Sequence, residues 1–321
     1  MYSVESNVAV SIYIITYKHA KYIRQCLDSI MNQKFSETFE VIVCDDCSND
    51  GTEEILREYK NKYGDIFKYI VNQTNLGPSK NSYQGKLLSK GKYICPVEGD
   101  DWWCDEYRLQ KQYDFLESHQ NYSAVGCNYY SGTENNKIIY KKLIFNTQTN
   151  RTYFLKNYKK SGNKIHVNTL MYKNVLPYNE EKCRQLYCSE NTMGDTITKI
   201  LLYDCGPIYL LKDTMHVHRI GRQCSTSFSA QSSNKMIFYS YMFFRIIDNL
   251  TEYFDYKYDL KEMKVNRLST VIFAYHFSKK RVKIDKEEYK NICKFVGNDI
   301  LFKARIKSIK LLFIKLIRKV F

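Results

Sequence analysis

Tyr93-Ile94-Cys95-Pro96-Val97-Glu98-Gly99-Asp100-Asp101-Trp102-Trp103 is a short apolar run that ends in three carboxylates and two indoles. It reads as a buried strand with acid at its tip. Carboxylates crowded at a strand end repel one another, so a fold keeps them there chiefly when a cation or a set of hydroxyls sits between them. Hard oxygen donors of this kind suit magnesium or manganese, which keep several waters and bind the phosphate oxygens of a substrate. The competing reading is an ordinary turn at Gly99-Asp100 with solvated acids.

Working outward, three earlier stretches also place polar residues directly after apolar runs: Ser11 to Tyr17, Glu40 to Gly51 and Asn75 to Asn81. Their intervals fit strand, helix, strand repetition, which brings all four tips to one sheet edge. Val8 to Ile15 is nearly all apolar and β-branched, as in a strand buried on both faces, and Tyr22, Ile23, Cys26, Leu27 and Ile30 then recur at helical spacing. Phe39 to Cys44, Phe67 to Val71 and Lys92 to Val97 are the next strands, with helices at Glu53 to Tyr63 and Asp105 to Ser118. Lys80 stands in the first turn of the helix that Gly77-Pro78 opens. A cation there opposes the helix dipole unless an anion such as a diphosphate lies close.

Downstream, strands are expected at Tyr122 to Tyr130, Lys137 to Phe145 and Leu170 to Tyr172, the last led in by His166 on the acceptor side. Ser189 is the expected N-cap of a helix whose Ile197, Ile200, Leu201 and Leu202 face the core. Tyr209 to Arg219 reads as a strand pair. Its His216 and His218 share a face, but no third zinc ligand stands at suitable spacing. The Cys44-x-x-Cys47 pair likewise lacks a second cysteine pair. From Ser232 the pattern is helical: Met236 to Phe254, Leu260 to Lys280 and Asp285 to Val296. Lys303 to Phe321 follows with seven Lys or Arg and no acid, its Ile306, Ile309, Phe313, Leu316, Ile317 and Val320 aligned on one face.

The 321 residues, 44% of them hydrophobic, suffice for a large domain with an appendage. Eleven cysteines without paired spacing point to reduced thiols. No Arg/Lys-led apolar leader and no bilayer-length uncharged run is present, so a cytoplasmic location is expected. The net charge of +15 is concentrated late: from Ala230 onward, 20 basic residues face nine acids. Nucleic acid and an anionic membrane surface both suit that charge, but a nucleic-acid protein leaves the pocket acids Asp45, Asp46, Asp100 and Asp101 without a purpose. A dinucleotide-binding oxidoreductase fails because Thr16-Tyr17-Lys18, not a Gly-rich turn, follows the first strand.

The four acid- and polar-tipped strands resemble the family 2 glycosyltransferases over about the first two-thirds of the chain. The resemblance implies an α/β GT-A-like nucleotide-sugar-binding domain (1–228) with a mostly parallel central sheet. A helical region (229–302) and a basic amphipathic helix (303–321) follow. It assigns the nucleotide base to Thr16, Tyr17 and Asp46, the metal to Asp101, and ribose or a metal-bound water to Asp100. Glu98 takes the first place of the usual D-x-D-D pattern, where an aspartate is expected. Lys80 matches a basic position, Arg219 and His218 match an element that closes the diphosphate site, and Asp195 matches the catalytic base, with Glu190 as a competitor. The implied activity is inverting, metal-dependent transfer from a nucleotide-diphosphate sugar, a UDP sugar, to a glycan or lipid-linked acceptor in capsule or lipopolysaccharide synthesis. The expected cofactor is manganese or magnesium, and the expected place is the inner face of the cell membrane, reached through the basic helix. An inert sugar-nucleotide-binding scaffold of the same fold is the alternative.

Overall fold

The computed structural model describes residues 7–132, 138–139, 151–161, 165–219, 236–277 and 284–320. In chain order it opens with β1 (Val10–Thr16), α1 (Ile23–Met31), β2 (Phe39–Asp45), α2 (Thr52–Tyr63), β3 (Phe67–Val71), α3 (Pro78–Leu88) and β4 (Tyr93–Glu98). Next come β5 (Trp102–Trp103), α4 (Arg108–Ser118), β6 (Ala124–Gly132), β7 (Ile138–Ile139), β8 (Arg151–Tyr153) and α5 (Leu155–Ser161). β9 (Leu170–Lys173), α6 (Glu181–Cys188), α7 (Gly194–Cys205) and β10 (Ile208–Arg219) complete the sheet region. Helices Met236–Tyr253, Lys261–Phe277, Lys286–Phe295 and Asn298–Val320 follow.

Two compact units divide the chain. The first holds Met1–Leu155, Asn163–Ser189 and Gly194–Gly221, and the second Lys156–Gly162, Glu190–Met193 and Arg222–Phe321. In the first unit the strands run β3-β2-β1-β4-β9-β6-β10-β5, with β7 on β6 and β8 on β10. β3, β2, β1 and β4 are parallel, whereas β9 pairs antiparallel to both β4 and β6. The sheet is therefore parallel where the acidic tips lie and mixed beyond them.

β1 sits between β2 and β4 and is buried along almost its whole length, which is why its residues are apolar on both faces. Ile23, Cys26, Leu27 and Ile30 of α1 and Leu56 of α2 cover it, in one core with Val41, Val43, Cys95 and Val97. Successive strands go from β1 outward to β2 and β3, then back across to β4 on the other side. That reversal leaves a crevice beyond the carboxyl ends of β1 and β4, where ligands of open α/β sheets bind. Register pairs Ile15 with Glu98 across it.

Two local expectations change. Tyr209 to Arg219 is one strand, not a pair; irregular register between Leu210 and His216 bends it without a turn. Ser189 lies at the C-terminal end of α6, where its hydroxyl bonds the Leu186 carbonyl, and α7 starts at Gly194. Of the strand expected over 137–145, only Ile138–Ile139 falls among the described residues, and the expected boundary at 228 lies outside them.

The second unit packs its helices around Phe244, Leu268, Val271, Ile272, Ile292 and Ala304. Its last helix begins at Asn298, earlier than the basic run suggests. Among the described residues no helix is long and apolar enough to cross a membrane.

Candidate active site

The loops after β1 and β2 are laced together. The Asp46 amide bonds the Thr16 carbonyl at 2.9 Å, the Lys18 amide bonds Ser48 Oγ at 2.9 Å, and the Ala20 amide bonds Asp50 Oδ2 at 3.1 Å. Asp45 is buried with its carboxylate on the amide and hydroxyl of Ser48. Asp46, expected at the base, is held by the loop that follows β3. Its carboxylate accepts the amides of Leu76 (2.8 Å) and Gly77 (2.9 Å) and the Asn72 side chain (3.0 Å), and it is buried. It ties the β3–α3 loop to the end of β2, so the loop's conformation depends on it. Tyr17 remains partly open beside it.

Beyond β4 the chain turns sharply. A Cβ at Gly99 would lie 2.9 Å from Thr16 Oγ1 and from Ile23 Cδ1, so only glycine allows the acidic turn this close to β1. Asp100 and Asp101 then part company. Asp101, expected at the metal, points inward and is fully buried: His216 Nε2 lies 3.0 Å from Oδ2, the Arg219 amide 2.8 Å from Oδ1, and His218 Nδ1 3.3 Å from Oδ1. Arg108 fixes the tautomer of His216. A guanidinium can only donate, so the contact of Arg108 Nη1 with His216 Nδ1 at 3.2 Å puts the ring proton on Nε2, aimed at Asp101. Burial keeps His216 below the ordinary histidine range. Burial also opposes charge on His218, but Asp101 outweighs it and pushes His218 up to about 9. Burial would likewise raise Asp101, yet His218 and His216 hold it well below the usual carboxylate range.

Arg219, expected at the diphosphate, is also buried. Its guanidinium lies over the rings of Tyr22 (4.3 Å) and Trp102 (4.7 Å), bonds the Asp100 carbonyl at 2.8 Å and reaches Gln25 Oε1 at 2.7 Å. It is a strut under the acidic turn. Both indoles pack in the same way, Trp103 beneath the Arg108 guanidinium at 4.2 Å.

What faces the crevice is Asp100. Its Oδ1, Thr16 Oγ1 and His19 Nδ1 are buried polar atoms without a hydrogen-bond partner among the described residues, and His19 Nε2 stands 3.9 Å from Asp100 Oδ2. Burial raises Asp100, and burial together with Asp100 and Asp101 pushes Glu98 up to about 8. Orphaned donors and acceptors beside crowded carboxylates are the mark of a site that a ligand or cation completes. Among the described residues no three metal-binding side chains converge on one point. The donor set therefore fits a magnesium-class ion held by one or two carboxylates, waters and substrate phosphate rather than an all-protein cage.

The remaining wall comes from α3 and α7. Gly77 enters α3 at φ +83°, Pro78 takes the first turn, and Lys80 follows, partly exposed with no acidic partner among the described residues. The Gly194 amide at the start of α7 donates to Ser79 Oγ at 3.1 Å, and Asp195 stands exposed in that first helical turn. Behind it lie two buried lysines. Burial lowers Lys199 to about 8 and Lys86 to about 7, each opposed by the charge of Asp195. Lys86 Nζ is 2.7 Å from Tyr13 Oη and lies over the Tyr13 and Tyr187 rings. His166 is half-buried, its ring 4.8 Å from that of His218, and its buried Nδ1 has no partner among the described residues. Glu190 belongs to the second unit.

Thr16, Tyr17, Lys80, Asp100 and Asp195 are thus brought to the sheet edge in the first unit, while Asp46, Asp101 and Arg219 build its walls. His19, Gln25 and Ser79 are positions that sequence reading passed over. Only His19, three residues past a strand end, carried a signal.

Known proteins share this fold and the sequence that builds it. The abequosyltransferase RfbV of Salmonella typhimurium is 38% identical over 93 residues, 29% of this chain and 28% of that one. The chain spans about a third of the length of several curated relatives it matches. In fold, it is similar to S. aureus TarS 1-349 in complex with UDP-GlcNAc: TM-score 0.69, 20% identity, 94% of this chain and 89% of that one. The mannosyltransferase PcManGT of Pyrobaculum calidifontis, in complex with GDP-Man and Mn2+, aligns at TM-score 0.52 and 14% identity over 95% of this chain and 88% of that one. These likenesses give the GT-A fold. The sequence pattern described as "Glycosyl transferase family 2" matches residues 11–176. That span runs from β1 through β9 and carries every acid of the crevice except Asp195, and on it the chain belongs to glycosyl transferase family 2.

Proposed function

We propose that this glycosyltransferase moves a sugar from a nucleotide-diphosphate sugar, a UDP sugar, to a glycan or lipid-linked acceptor with inversion at the anomeric carbon. The work is done with manganese or magnesium, at the inner face of the cell membrane, in capsule or lipopolysaccharide synthesis. The observation that carries the reading is the cluster of unpartnered Asp100 Oδ1, Thr16 Oγ1 and His19 Nδ1 at the tip of β4, where the charge of Asp195 is also felt by Glu98. The UDP-GlcNAc bound by the similar S. aureus TarS 1-349 supports the choice of uridine.

Thr16 and Tyr17 hold the nucleoside, on a loop whose shape Asp46 and Ser48 fix. Lys80 pairs with the diphosphate at the N-terminus of α3, where the helix dipole adds to its charge. Asp100, rather than the inward Asp101, holds the cation, with Glu98 beside it. The cation supplies neutralisation of the charge that develops on the departing diphosphate. Asp195 removes the acceptor hydroxyl proton as that oxygen attacks from the face opposite the leaving group. His218, kept cationic by Asp101, adds positive potential on the same side.

A panel of UDP, GDP and dTDP sugars, each assayed for manganese-dependent hydrolysis with the intact chain, tests the reading. Turnover confined to UDP sugars and lost in chelator supports it. Nucleotide binding without turnover in any member of the panel makes the chain an inert binder.

A further inference from the structure

The last helix, Asn298–Val320, packs against Lys261–Phe277 in the second unit. Ile300, Ala304 and Ser308 are buried, one turn apart along a single side, and Lys307 Nζ bonds Asn266 Oδ1. Successive residues turn about 100° around a helix, so this seam leaves the far side uncovered. On that far side lie Phe302, Ile306, Ile309 and Phe313, which keep 67%, 43%, 50% and 60% of their surface exposed. Their spacing of four, three and four residues makes one continuous stripe.

Four large apolar side chains in a row on an exposed helix face mark a surface meant to be covered. The charges beside it say by what. Arg305 flanks the stripe on one side and Lys303 and Lys310 on the other, all exposed, and no acid occurs from Ile300 to Phe321. A second copy of this chain would bring the same positive rim against itself, which like-charge repulsion disfavours. A sheet of anionic phospholipid meets both features at once, accepting the apolar stripe at the headgroup boundary while the flanking cations reach the phosphates.

We infer that Phe302, Ile306, Ile309 and Phe313 form an in-plane docking stripe for an anionic phospholipid surface. This deepens the membrane location in the proposed function, on which it rests only for the side of the membrane. Ile306, Ile309 and Phe313 belong to the apolar face expected from the sequence, and the seam at Ile300, Ala304 and Ser308 leaves them outward together with Phe302. The stripe starts at Phe302, ahead of the basic run.

The test is co-sedimentation of the full chain with large unilamellar vesicles of phosphatidylcholine containing about a quarter phosphatidylglycerol, against pure phosphatidylcholine vesicles. The wild type is expected to pellet with the anionic vesicles and to stay in solution with the neutral ones. The F302S/I309S/F313S variant changes only exposed positions. It should keep its circular dichroism and donor hydrolysis and lose at least tenfold in vesicle partition. The K303E/K310E variant should lose partition most at low salt, as screened surface charge requires. Unchanged pelleting of the triple variant overturns the stripe. So does a wild type that ignores anionic vesicles, or one that sediments as a dimer which the triple variant dissolves. Vesicle binding by a chain that hydrolyses no sugar nucleotide leaves the stripe standing and removes the enzyme reading, so the two failures are distinguishable.

Discussion

Ser79 and Gly194 meet across 115 residues of chain, the hydroxyl of one accepting the amide of the other at 3.1 Å. The bond satisfies a first-turn N–H of α7 that has no partner within the helix, and it comes from α3, which also carries Lys80. Asp46 in turn holds the loop that enters α3. Hydrogen bonds at both ends of this short stretch therefore link the end of β2 to the residue next to Asp195, setting that carboxylate in register with the start of α3.

Replacing Ser79 by Ala removes that link. A lost cap of this kind costs about 1 kcal/mol, so turnover is expected to fall several-fold with KM for the donor nearly unchanged, and Ser79→Thr should restore it. Steady-state kinetics on the three proteins checks this; an effect on KM alone places the bond in donor binding.

Asp100 and Asp101 should separate cleanly although they are neighbours. Asp101→Asn leaves His218 without its buried counter-charge and is expected to lower stability by about 3–5 kcal/mol, the cost of breaking a buried pair. Asp100→Asn relieves repulsion instead, so its melting temperature should hold or rise while manganese no longer stimulates hydrolysis. Thermal melts and a manganese titration of both variants decide; the reverse pattern returns the metal to Asp101.

Lys86 gives a pH signature. Its folded pKa of about 7 lies below the unfolded value of 10.5, so burying it destabilises the fold fully below pH 7, and the penalty fades as pH rises toward 10.5. His218, raised to about 9, acts with the opposite sign, its contribution being complete below its unfolded pKa of 6.5 and lost as pH rises through about 9. The wild-type curve mixes the two, and comparison with Lys86→Met separates them. The variant should be more stable than wild type at pH 7, and its advantage should shrink by about 2 kcal/mol by pH 9. Urea melts at the two pH values read this directly, and a constant difference refutes the depressed lysine.

The four parallel strands and their acidic tips were legible because burial on both faces forces continuous apolar runs, and the tips stand where those runs stop. The direction of each tip carboxylate was not. Asp100 and Asp101 are adjacent in a turn, and what draws one of them inward is His216 and Arg219, more than a hundred residues away. Nothing local encodes that choice. The surroundings of Arg219 were illegible for the same reason: its cradle of Tyr22, Gln25 and Trp102 is assembled only by the fold. The outward stripe of the last helix was half legible. Its period is in the sequence, but which side packs is set by Ala304 and Ser308, whose small size suits a close seam.

The proposed role of Asp195 as the base of a sugar-nucleotide transfer is decided by turnover of a UDP sugar in the presence of manganese by wild type and Asp195→Asn, with Glu190→Gln alongside. Asp195→Asn is expected to lower kcat by about two to four orders of magnitude with donor affinity little changed, while Glu190→Gln stays near wild type. Turnover by Asp195→Asn within a few-fold of wild type, or a large loss in Glu190→Gln alone, would contradict it.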